Sequence, residues 1–188
     1  MIPKNLFPKA DKKAFVIMLL QLLSFAMLSV VFLIIVLPIG VIAVIELVLA
    51  AVFLFVLVFG AKRFFGRDFL AVAVFFVYLL AILLASFGAQ LLPLDAINLR
   101  FQVLAAIAVI TIIFFVLFRI FLSRDFSHGT VISSEKDSAV VQAEFDFLAG
   151  INGGTYVVRS HKHFPKGEKV KLKIEQGFFG RKPKEITE

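Results

Sequence analysis

The sequence predicts an α-helical membrane protein with four transmembrane helices and a small C-terminal all-β barrel, OB-like or SH3-like. Three observations carry this. The 188 residues are 61% hydrophobic and only 18% charged, whereas a soluble domain runs nearer half and a quarter. Four apolar runs, 14–37, 41–61, 69–92 and 101–118, approach or exceed the ~20 helical residues that cross a hydrocarbon core of ~30 Å. From Gly129 onward the hydrophobic period changes to two, the mark of strands. The composition excludes an ordinary soluble globule and a disordered chain. With no cysteine there is no disulfide framework, thiolate metal site or thiol nucleophile.

The first run carries no charge; its polar groups are Gln21, Ser24 and Ser29. Pro38-Ile39-Gly40 then punctuates the helix. The second run holds one charge, Glu46. Fifteen Val, Ile, Leu or Phe in 41–60 favour insertion by about 4 to 9 kcal/mol, against about 3 kcal/mol for one buried acid. Insertion therefore wins. Lys62, Arg63, Gly66, Arg67 and Asp68 separate the second run from the third, and Pro93, Asp95, Asn98 and Arg100 the third from the fourth. Connections this short make the helices alternate up and down.

Basic residues set the expected orientation. Lys4, Lys9, Lys12 and Lys13 precede the first run, Lys62, Arg63 and Arg67 follow the second, and Arg119 and Arg124 follow the fourth. The other side offers only Arg100. By the positive-inside rule the chain is a multi-pass protein of the cell membrane with both termini cytoplasmic. The first run is too long for a signal peptide and continues into a second span.

Composition breaks near Phe126, giving an expected membrane domain over 1–126 and a barrel domain over 127–188. Of 24 Phe, 18 precede residue 126, and 127–188 hold ten basic and eight acidic residues. In Ala139–Phe147, Val141, Ala143, Phe145 and Phe147 fall on one face, and in Lys169–Glu175 so do Val170, Leu172 and Ile174. Thr130–Ser133, Thr155–Ser160 and Lys184–Thr187 are shorter candidates, and the segments between supply turn chemistry. Five short strands in about 60 residues read as a small barrel.

Gly153-Gly154-Thr155-Tyr156-Val157-Val158-Arg159-Ser160, followed by Pro165-Lys166-Gly167-Glu168-Lys169-Val170, resembles the barrel segment of the short-form NfeD family. Clustered membrane helices before a cytoplasmic barrel match its layout. The chain also resembles an uncharacterised family of archaeal predicted membrane proteins with the same tail. The NfeD resemblance implies a non-catalytic accessory or scaffold partner of stomatin- or prohibitin-like membrane proteins. The protease domain of that family's long form is not present, so its activity is not implied.

Candidate functional residues are few. Glu46 lies about 9 Å inside the outer boundary, at 1.5 Å per residue, where Gln90, Arg100 and Gln102 also fall. An intramembrane acid suggests an ion or proton site. The structural alternative is a Glu46–Arg100 pair or a Glu46–Gln102 hydrogen bond, and it carries more weight because few other polar groups lie deep in the spans. On that reading Glu46→Gln weakens packing. Ala81, Ala85 and Ala89, with Gly88 beside them, form a small-residue stripe suited to close helix packing, within the chain or against a second copy or partner helix. His161 and His163 have the spacing of a metal pair but no evident acidic third ligand and cationic neighbours. Phe178 and Phe179, in a Gly-flanked turn, are a candidate exposed docking pair. No catalytic motif, metal site or cofactor is expected. The bilayer, and another membrane protein or a homo-oligomer, are the expected partners; nucleic acid is not.

Overall fold

The computed structural model describes residues 12–33, 38–92, 97–177 and 180–187. Helices α1 (Lys12–Phe32), α2 (Ile39–Phe55), α3 (Lys62–Phe65), α4 (Phe69–Gln90) and α5 (Ile97–Phe121) precede strands β1 (Phe126–Ser134), β2 (Ser138–Ala143), β3 (Gly154–Arg159), β4 (Lys169–Gly177) and β5 (Gly180–Ile186). The chain forms two compact units, and 15–121 make the helical one.

Among the described residues, three helical stretches are long and apolar enough to cross a membrane: Lys12–Val30, Ile39–Gln90 and Asn98–Phe121. The middle one folds back on itself. A π-helical turn, Val56–Ala61, carries α2 into α3, so the helix runs past the expected end at residue 61. At Gly66 the backbone takes φ +50°, ψ −114°, a conformation that only glycine adopts readily. The Phe53 and Phe76 rings then meet at 6.1 Å, where a straight helix would hold them about 35 Å apart.

Contacts elsewhere follow the same antiparallel order. Val30 of α1 packs on Ile42 of α2 and Phe87 of α4, while Val16 lies within van der Waals reach of Gly60. Between α4 and α5, Tyr78 stacks on Phe114 with centroids 3.5 Å apart, and Phe75 meets Phe118 at 5.1 Å. The hydroxyls of Ser24, Ser29 and Thr111 donate to the carbonyls of Leu20, Phe25 and Ile107. Each of these three hydroxyls thus finds a partner one turn back on its own helix, which suits a surrounding of hydrocarbon. The outer surface is apolar, with Phe25, Leu47, Leu70 and Phe121 more than two-thirds exposed. Such a surface suits lipid, not water.

The strands close into a barrel in the order β1-β2-β3-β5-β4. Neighbours pair antiparallel except β3 with β5, which are parallel. Ala139, Val141 and Ala143 of β2 and Val170, Leu172 and Ile174 of β4 point inward, as the alternation predicts, with Val131, Val158 and Ile186. A register shift between Val131 and Ser133 turns the end of β1. At Gly129 there is no room for a side chain: a Cβ would sit 2.9 Å from Leu172 Cδ1 and 3.1 Å from the Gln142 carbonyl.

Three expected boundaries move. β2 stops at Ala143 instead of running to Phe147, because Asp146 is drawn into a turn described below. β1 starts at Phe126 and β5 at Gly180, each four residues earlier than the alternation suggested. Antiparallel partners on β4 hold both: Phe126 faces Lys173, and Gly180 faces Gly177. Leu122–Asp125 belong with the barrel, not with the helices, since the Arg124 amide donates to the Leu148 carbonyl.

Gly129→Ala is expected to destabilise the barrel by about 1–3 kcal/mol through overpacking. Proteolysis of the full chain should then cut within 126–187 at lower denaturant, leaving the helices intact.

Candidate functional site

Glu46 sits on α2 one turn beyond Ile42 and is 2% exposed. Its Oε1 has no hydrogen-bond partner among the described residues. The expected partners are occupied or placed elsewhere. Arg100, in the first turn of α5, sends Nη2 to the Leu92 carbonyl, just past the end of α4. That carbonyl lies beyond the C-cap, in the connection between the two helices, so the guanidinium holds the α4–α5 connection instead of meeting the acid. Gln102 is exposed and Gln90 half-buried. The structure therefore does not join Glu46 to Arg100 or Gln102. With no bond to lose, Glu46→Gln is no longer expected to loosen the packing.

The small-residue stripe divides. Ala89 is buried, but Ala81 and Ala85 are exposed, and a Cβ on Gly88 would meet open space. Most of the stripe faces away from the other helices of the chain. Leu70, Val74, Val77 and Leu84 share that exposed side of α4. The Tyr78 hydroxyl is buried without a partner behind its stacked ring.

In the barrel the His161 ring meets Glu185 at 2.8 Å, and His163 is exposed. Phe178 and Phe179 lie outside the described residues. Sequence reasoning missed Asp146, whose carboxylate collects four hydrogen bonds. Asp146 accepts from Arg124 Nη2 at 3.0 and 3.2 Å, from the buried Ser127 hydroxyl at 3.0 Å and from the Ala149 amide at 3.1 Å. Arg181 then donates to the Arg124 carbonyl at 3.1 Å and the Ala149 carbonyl at 3.5 Å. Beneath it, Gly150 has φ +68°, and a Cβ there would lie 3.2 Å from the Arg181 side chain. This knot ties the start of β1 to the β2–β3 connection. The available signal was an Asp at the head of a Phe-Leu-Ala-Gly turn.

Two shallow grooves flank the parallel β3–β5 seam. One, of about 320 Å³, is lined by Ser138, Val157, Arg159, Glu175, Lys182 and Lys184 among others. The second, of about 280 Å³, lies between His161, Lys162, Phe164 and the end of β5. Lys184 Nζ donates to Glu175 at 2.6 Å. That hydrogen bond, aided by the charges of Lys184, Arg159 and Lys173, holds the Glu175 carboxyl below its ordinary value of 4.5.

A family model described as a predicted membrane protein, DUF2101, matches residues 2–186. The chain belongs to the DUF2101 family. That match supports a membrane protein of uncharacterised kind; it does not establish the NfeD resemblance. No curated protein and no solved structure matches the chain.

Replacing an unpartnered buried carboxyl with an apolar side chain removes a desolvation cost. Glu46→Leu is therefore expected to stabilise the helical unit by about 1 kcal/mol, raising its melting temperature in detergent; a lowered value would show that the carboxyl is bonded. For Glu175 the folded value is depressed, so its contribution to stability is present above the unfolded value and is lost as pH falls through the folded one. NMR titration should place its midpoint below 4.5, and Lys184→Gln should move it upward.

Proposed function

We propose that this DUF2101 protein is a non-catalytic scaffold of the cell membrane that presents its barrel to another membrane protein. Four crossings, by α1, α2 with α3, α4 and α5, would leave both termini in the cytoplasm. The reversal at Gly66 supports four rather than three, and exposed Lys62, Arg63 and Arg67 at that reversal support a cytoplasmic turn. The order β4-β1-β2-β3 with β5 closing the ring is a Greek key, which favours the OB-like form over the SH3-like one. The NfeD resemblance suggests a stomatin- or prohibitin-like partner.

One observation carries the scaffold reading. Only Leu122–Asp125 lie between α5 and β1, and a link of four or five residues reaches at most about 15–20 Å. A closed, cored domain held that near the bilayer meets another membrane-anchored protein at high effective concentration. A second reading, a small transporter or ion-conducting oligomer, is favoured by the unpartnered Glu46 carboxyl and the open small-residue face of α4.

Purification of the tagged full chain in a gentle detergent should bring down one membrane protein in stoichiometric amount. Ion flux in liposomes that is lost in Glu46→Gln, with nothing co-purifying, would transfer the assignment to the second reading. Tags at the two ends accessible from opposite sides of the membrane would remove the four-crossing arrangement.

A further inference from the structure

Charge in the barrel is distributed unevenly. Residues 127–188 hold ten cations and eight acids. Six of those cations, Arg159, Lys169, Lys171, Lys173, Lys182 and Lys184, are exposed on β3, β4 and β5, which are neighbours in the barrel. Only two acids, Glu175 and Glu185, belong to the same strands. Register gathers these groups: Arg159 and Lys173 both lie opposite Glu185, and Lys182 lies opposite Glu175. Each acid is already engaged, Glu175 by Lys184 and Glu185 by His161. Six cations against two acids leave an excess of four on a surface whose whole domain carries an excess of two.

The centre of this surface is aliphatic. Val157, on the outer side of β3, is 73% exposed and lines the groove with Arg159, Lys182 and Lys184. A single-stranded nucleic acid is gripped by aromatic platforms between cations; the described residues of this groove offer an aliphatic side chain in that place. An aliphatic group ringed by Lys and Arg is instead the chemistry of the headgroup boundary of a bilayer.

We infer that the β3–β5–β4 face is a docking surface for anionic phospholipid headgroups, with Arg159, Lys173, Lys182 and Lys184 on the phosphates and Val157 entering the headgroup layer. The inference rests on the membrane-embedded reading of the helices. The short link from α5 keeps the barrel within reach of the leaflet, and charge complementarity chooses which side of the barrel turns toward it. The outer side of β1 and β2, with Ile132 and Gln142 exposed, stays open to a protein partner.

The chain has no cysteine, so Val157→Cys in the full-length protein gives one attachment point for an environment-sensitive fluorophore. The labelled protein is placed in nanodiscs of phosphatidylcholine, with or without phosphatidylglycerol. Incorporation into discs tests the membrane reading on its own. Docking predicts a blue-shifted label only in discs containing phosphatidylglycerol, reversed by high salt. The triple substitution Lys173→Gln, Lys182→Gln, Lys184→Gln should lower the docked-to-free ratio by about tenfold or more. Identical spectra in the two lipids would overturn the inference, whatever the triple variant does. So would a shift that survives the triple substitution in a barrel of unchanged melting temperature. A single-stranded oligonucleotide that shifts the label in phosphatidylcholine discs would reassign the face to nucleic acid.

Discussion

A peptide group in hydrocarbon has no water to turn to, and the architecture of helices α1 to α5 follows from that. Each N–H and C=O must be paired within its own segment, so Val-, Ile- and Phe-rich stretches that would favour strands in water become helices. The same demand reaches the side chains. Ser24, Ser29 and Thr111 return their hydroxyls to the preceding turn, and Arg100 gives its guanidinium to a carbonyl just beyond the end of α4. Glu46 departs from this economy, as the Tyr78 hydroxyl does, with a buried oxygen that no described residue satisfies. A departure of that kind marks either a tolerated cost or a use.

The barrel answers a different constraint. It must bury a core from about 60 residues, which is near the lower limit for independent folding. Its interior sets small residues among larger ones: Gly129 makes room for Leu172, and Ala139 and Ala143 share the core with Ile151. A polar knot reinforces one end, where Asp146 gathers Arg124, Ser127 and the Ala149 amide. The charged pair is largely desolvated, with side chains 25% and 11% exposed, and the Ser127 hydroxyl and the Ala149 amide meet further valences of the Asp146 carboxylate. That is the condition under which a buried ion pair fixes a chain path without a large penalty.

What could be read from the sequence divides along these lines. Run length fixed the helical stretches, because the bilayer is a solvent with one dimension that matters. Strict alternation fixed the inward face of β4 and the first half of β2. The Phe145-Asp146-Phe147 continuation was misleading, since alternation cannot report that a carboxylate finds Arg124 more than twenty residues away. The expected Glu46–Arg100 pair is missing for a similar reason: depth in the membrane was legible, but the claim of the Leu92 carbonyl on Arg100 was not. The Ala81–Ala85 stripe shows the same limit, for spacing said that the residues share a side and could not say which side faces the bundle. The basic outer face of the barrel was hidden because its cations come from three strands that only the closure order brings together.

The ring of strands is not equally strong all the way round. β3 and β5 run parallel and meet at one described pair, Arg159 with Glu185, whereas every other junction is a ladder of five or more pairs. Amide exchange and transient opening concentrate where the fewest backbone bonds must break. The junction therefore acts as the hem of the domain, where the fabric parts first. A ligand that grips both edges would act as a stitch and slow that parting.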